Sequence, residues 1–132
     1  MINYYLNQLQ LFEDERGFVK HGMKYGDVNS SGIREVYFSN VKNGYYKGWK
    51  KHQKMILNII VISGEMIFYL ANSDFSEFVD LKISHKDQKR LTIMPNQWVA
   101  FTSVIEPSST LINISNLINN EDIVENKPFF LP

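Results

Sequence analysis

The sequence predicts an all-β domain, a sandwich or barrel of short strands. Three observations carry this. Aromatic and β-branched residues are gathered into short runs, the composition that suits a pleated, half-buried surface. Turn residues break those runs roughly every ten residues. One run, Met55 to Ile62, is apolar on both faces except at Asn58, as a strand covered on both sides must be.

Taken in order, Tyr4 to Phe12 and Phe18 to Met23 are the first strand candidates. Glu35 to Val41 follows and ends at Asn43-Gly44, a strong turn signal. Lys47 to Lys54 then leads into the central apolar run. If it is extended, Lys50 and His52 share one face, and Trp49 and Lys51 share the other. Ser63-Gly64 separates Ile56 to Ile62 from Met66 to Leu70 and reads as a tight hairpin. Phe78 to Ile83, Arg90 to Met94, Trp98 to Thr102 and Thr110 to Ser115 complete the set. The last three are divided by Pro95-Asn96-Gln97 and Pro107-Ser108-Ser109. Only Asn120 to Glu125 reads as helical, a turn or two whose acidic residues suit a helix N-terminus. The outer face of the central run needs a cover, which in so small a chain points to a second subunit.

The chain has 132 residues, the size of a single domain spanning 1–132. It has no cysteine, which removes disulfides, thiolate metal sites and thiol nucleophiles. Its formal charge is zero, so neither nucleic acid nor an anionic membrane is an expected partner. Met1 to Leu11 has neither the basic start nor the apolar core of a signal peptide. The longest apolar stretch, Met55 to Ala71, is interrupted at Asn58, Ser63-Gly64 and Glu65, whereas a spanning helix needs about 20 apolar residues. A cytoplasmic protein is the expectation.

Several segments resemble one family. Phe12-Glu13-Asp14-Glu15-Arg16-Gly17-Phe18 is similar to an Asp-x-Arg-Gly segment. Lys47-Gly48-Trp49-Lys50-Lys51-His52 is similar to Arg-Gly-x-His-x-His before a buried strand. Ser63-Gly64-Glu65, Pro95 to Phe101 and Asn113-Ile114-Ser115-Asn116 match later segments. Together they resemble cupins of the dTDP-4-dehydrorhamnose 3,5-epimerase and dTDP-4-keto-6-deoxyhexose 3,4-ketoisomerase group. The resemblance implies a cupin jelly-roll barrel (a double-stranded β-helix) with a short C-terminal helical turn. It also implies a homodimer, a nucleotide-sugar substrate, no cofactor, and work in bacterial surface-polysaccharide synthesis, in rhamnose and O-antigen pathways.

The resemblance also shows departures. The family's first histidine, its base, falls at Lys50, and its phosphate-binding arginine falls at Lys47. The later histidine falls at Val99-Ala100 and is absent. An enolate-stabilising lysine falls near Leu57. By the resemblance Arg16 reaches nucleotide phosphates, often across a dimer interface, and His21 takes the place of an acidic nucleotide contact.

Removing a proton next to a sugar ketone needs a base that titrates near neutrality and a donor or cation at the enolate oxygen. Among His21, His52 and His85, His52 is best placed for the base, with Lys50 as the anion contact. The competing reading is a barrel-lining histidine in a structural hydrogen bond. Lys50 has a surface alternative, and Arg16 could simply pair with Asp14 or Glu13. Trp49 and Trp98 are candidates to stack on a base or sugar, with core or interface as the alternative. Tyr37, Tyr45 and Tyr46 are candidate hydroxyl donors. No metal is expected: Lys50 and Ile56 stand where metal-binding cupins place ligands, and one imidazole does not hold a transition metal.

Overall fold

A computed structural model describes residues 1–24, 26–27 and 32–132. Its strands are β1 Tyr4–Gln8, β2 Gln10–Asp14, β3 Gly17–His21, β4 Glu35–Lys42, β5 Tyr46–His52, β6 Leu57–Ser63, β7 Glu65–Ala71, β8 Phe78–Ser84, β9 Lys89–Ile93, β10 Trp98–Ser103, β11 Ser108–Ser115 and β12 Val124–Asn126. Two five-stranded sheets face each other, in the orders β1-β9-β6-β11-β4 and β12-β5-β10-β7-β8. Every strand pair within them is antiparallel. This is the jelly-roll barrel the sequence predicts.

Alternation builds the core. Leu57, Ile59 and Val61 of β6 meet Met66, Phe68 and Leu70 of β7, with Leu91, Ile93, Val99 and Leu111 between the sheets. The opposite face of β6 is covered in part by the chain itself. Ile60 is buried, and a Cβ at Gly22 would stand 3.1 Å from its Cδ1. Ile62 remains 42% exposed.

Three sequence expectations change. Tyr4 to Phe12 is two strands, because Leu9 turns inward and its N–H bonds the Gln88 carbonyl. Among the described residues β2 and β3 then pair only with each other, as an arm off the barrel. Ser63-Gly64 is not a hairpin, since β6 and β7 belong to different sheets. Gly64 has φ +87° and turns the chain from one sheet to the other, where a Cβ would run into Ser109 Oγ. Asn120 to Glu125 is helical only over Asn119–Glu121, a 3₁₀ turn. Beyond it, β12 pairs with β5, because an open strand edge offers main-chain partners that a further helical turn would leave unused.

Candidate active site

A cavity of about 780 Å³ opens between the sheets. Lys47, Lys50 and His52 of β5 line one wall, Glu35, Tyr37 and Ser39 of β4 another, and Val124 and Asn126 of β12 the rim. Leu57, Ile59, Val99, Phe101 and Leu111 supply an apolar lining.

Strand parity accounts for Lys50 and His52 together, with Trp49 and Lys51 on the far side. Lys47 breaks parity. Val99 pairs with Lys50 but Phe101 pairs with Lys47, so β5 has an extra residue in this interval. That bulge brings Lys47 onto the cavity face. It depends on Gly48, at φ +110°, where a Cβ would lie 2.6 Å from the Val99 carbonyl oxygen and 2.7 Å from Ala100 Cα.

His52 is held from behind. Its Nδ1 lies 2.7 Å from Asp122 Oδ2, and the Asp122 side chain is fully shielded from solvent. Asp122 Oδ1 accepts the main-chain N–H groups of Lys54 at 2.9 Å, Met55 at 3.3 Å and Ile123 at 2.9 Å. Burial works against ionisation of this carboxyl. The bonds from His52, Lys54 and Ile123 outweigh it and hold Asp122 below the usual carboxylate range. A carboxylate accepts only, so Nδ1 carries a proton, and in the neutral tautomer it is Nε2 that holds the lone pair. Asp122 is a residue that sequence reasoning missed.

Tyr37 is the tyrosine that faces the cavity. Its hydroxyl oxygen accepts from Asn113 Nδ2 at 2.8 Å, leaving its own O–H to donate. Burial raises its pKa, the Asn113 bond opposes this, and the negative charges of Glu35 and Asp122 add to the rise. The phenol therefore stays protonated. Tyr45 and Tyr46 are exposed, and Tyr46 stacks on Phe129 at 4.2 Å.

Lys47 Nζ reaches Ser39 Oγ at 3.3 Å. Lys50 lines the same cavity as His52 and forms no ion pair among the described residues. Leu57 and Val99 place apolar surface where the resemblance puts a lysine and the later histidine.

Both tryptophans correct the sequence reading. Trp49 is 0% and Trp98 3% exposed, in a cluster on the far face of the β5 sheet. Trp49 Nε1 donates to the Phe130 carbonyl and Trp98 Nε1 to the Ser73 carbonyl, each at 3.0 Å. Neither ring lines the cavity, so neither has a ligand to stack on there. Parity forces this, because each alternates with a cavity residue on its strand.

Arg16 and His21 also lie outside the cavity of their own chain. Arg16 sits at the tip of the arm, 2.7 Å from Asp14, and this pairing holds the Asp14 carboxyl below its usual value. His21 stands beside Phe12 at the arm's base, on a smaller cavity shared with Arg90 and Asp27. His85 is exposed and bonds the Gly64 carbonyl. Among the described residues no group of three or more His, Asp or Glu is arranged to hold a metal ion. No helix among them is long and apolar enough to cross a membrane.

Fold and cavity together define a cupin-type barrel with an imidazole–carboxylate pair and two lysines opening on one pocket. The chain matches the family described as FdtA: WxcM-like, C-terminal over residues 2–131, and it belongs to that family. Solved structures agree on the fold. A dTDP sugar isomerase from Desulfovibrio desulfuricans is 22% identical, with a TM-score of 0.82 over 95% of this chain and 83% of that one. QdtA, a sugar 3,4-ketoisomerase from Thermoanaerobacterium thermosaccharolyticum in complex with TDP, is 19% identical, with 0.79 over 90% and 84%. A dTDP-4-dehydrorhamnose 3,5-epimerase from Sulfolobus tokodaii is 18% identical, with 0.77 over 86% and 70%. No curated protein sequence matches the chain.

Proposed function

We propose that this protein is a nucleotide-sugar isomerase or epimerase acting on a dTDP-4-keto-6-deoxyhexose, by proton transfer next to the ketone and without a cofactor. The observation that carries the reading is the His52–Asp122 pair opening on the cavity. Asp122 fixes the ring and its tautomer, and stabilises the imidazolium once the proton arrives. His52 Nε2 then takes the proton from the carbon beside the carbonyl. Negative charge moves to the ketone oxygen, where the Lys50 ammonium and the Tyr37 O–H are the available partners. Tyr37 is the candidate to return a proton. Lys47, with Lys50, meets the pyrophosphate.

The reading includes a homodimer. The arm exposes Phe12 at 60%, Phe18 at 61% and Val19 at 60%, and among the described residues it pairs with no other strand. Packed on a second copy, that surface is covered, and Arg16 and His21 reach the partner's nucleotide site. A cytoplasmic place in surface-polysaccharide synthesis goes with this reading.

A second reading is a sugar- or nucleotide-binding cupin without turnover. It is favoured by the lysine at position 50 and by the apolar Leu57 and Val99 in the cavity. Incubation with TDP-4-keto-6-deoxyglucose in deuterated water separates the two. A 3-keto product labelled at C4 marks a ketoisomerase, and a 4-keto sugar labelled at C3 and C5 an epimerase. TDP binding with no deuterium uptake removes the enzyme reading and leaves the binding one.

A further inference from the structure

Arg90 lies on β9, where alternation with Leu91 turns its side chain to the outer face of the sheet. Such a position is normally open to solvent, yet Arg90 is only 4% exposed. Its cover is the segment leaving β3. Arg90 Nη1 donates to the Gly22 carbonyl at 2.8 Å and to Asp27 Oδ2 at 3.2 Å. Asp27 Oδ2 in turn accepts the Lys24 N–H at 2.9 Å, closing the segment on itself.

The other root of the arm is fixed nearby. Leu9 N–H donates to the Gln88 carbonyl at 2.8 Å. Both roots of the β2–β3 arm are therefore fastened within a few residues of each other, just before and within β9. Between them the arm has no strand partner but itself among the described residues.

Arg90 is a costly residue for simply sealing a sheet. Its Nε is buried with no hydrogen-bond partner among the described residues, and a buried donor left unbonded is destabilising. An apolar side chain would cover β9 without that penalty. What an apolar side chain lacks is a directional link to Gly22 and Asp27.

We propose that Arg90 is a positioning residue: it sets the direction of the β2–β3 arm, and so places Arg16 and His21 at the nucleotide site of a second copy. This rests on the dimeric reading above. Arg90 acts through the arm and touches no substrate itself.

The test compares the full-length wild type with Arg90→Met, Arg90→Lys, Asp27→Asn and Arg16→Ala. Hydrogen exchange is followed strand by strand, TDP affinity by calorimetry, and deuterium incorporation at saturating substrate. In Arg90→Met, exchange in β2 and β3 rises about tenfold while β6, β7 and β10 keep their protection. TDP binding weakens about tenfold, and the saturated rate is unchanged. Arg90→Lys recovers part of both effects. Asp27→Asn keeps the arginine in place and gives a smaller version of the same pattern, which covers the case in which Arg90→Met does not fold.

Exchange rising equally across the barrel, or an arm unchanged in Asp27→Asn and Arg90→Met, overturns the inference. So does a loosened arm with undiminished TDP affinity. If Arg16→Ala weakens TDP binding and the Arg90 variants do not, the shared site stands and the role of Arg90 falls. If Arg16→Ala has no effect, the shared site falls and takes this inference with it.

Discussion

Asp122→Asn is the most searching substitution, because it changes the chemistry of one atom and little else. Oδ1 keeps the N–H groups of Lys54, Met55 and Ile123. Oδ2, 2.7 Å from His52 Nδ1, is replaced by an amide donor. Two donors cannot face each other, so Nδ1 must accept and the ring proton moves to Nε2. The proposed base is then blocked at Nε2. A bond to a charged group is worth about 1.5–3 kcal/mol, and its neutral replacement keeps roughly half. Stability falls by about 1 kcal/mol, or about 4 °C in Tm.

Deuterium incorporation falls far more, by about 10²–10⁴-fold, the range for losing a general base. TDP affinity does not change. Acid sharpens the comparison. The Asp122 carboxyl is held below its usual range, so its stabilising effect is complete above about pH 4 and is lost as pH falls through its lowered value. The stability gap between wild type and Asp122→Asn, read from urea midpoints, is therefore constant above about pH 4 and narrows only as the pH falls below that. An Asp122→Asn variant that incorporates deuterium at the wild-type rate would refute the role given to His52.

Further outcomes follow from neighbouring contacts. Tyr37→Phe removes the O–H aimed at the cavity and the acceptor for Asn113, so deuterium incorporation drops about 10²-fold and stability by about 1 kcal/mol in urea titrations. Lys50→Ala weakens TDP binding about tenfold, roughly 1.4 kcal/mol, and the loss shrinks as salt is raised in calorimetry. Trp49→Phe gives up the bond to the Phe130 carbonyl and costs about 1–2 kcal/mol by thermal unfolding, with TDP affinity unchanged because the ring is outside the cavity. Gly48→Ala drives a methyl into Val99 and Ala100 at positive φ, and its unfolding free energy falls by about 3 kcal/mol.

The strands were legible because their hydrophobic pattern is local, and so was the shared face of Lys50 and His52. What escaped depended on distant partners. Parity puts Lys47 beside Trp49. Only pairing with Val99 and Phe101 reveals the bulge that turns it inward. Ser63-Gly64 has the residues of a hairpin, but the partners of β6 are β9 and β11, chosen by the sheet and not by the turn. Val124 to Asn126 has too little pattern to announce a strand and becomes one against the edge of β5. Asp122 carried no signal, since nothing near it in sequence marks it as the partner of His52.

The pairing of β12 with β5 has a consequence for how the protein is made. His52 and Asp122 are 70 positions apart, and the edge of β5 stays bare until β12 arrives. During synthesis the earlier strands emerge first, with the imidazole unanchored and its proton free to sit on either nitrogen. Under the role proposed for His52, competence waits on the docking of β12 against β5. A chain whose β12 segment has not docked has His52 without its Asp122 anchor, so the proposed base is in place only once that edge is closed.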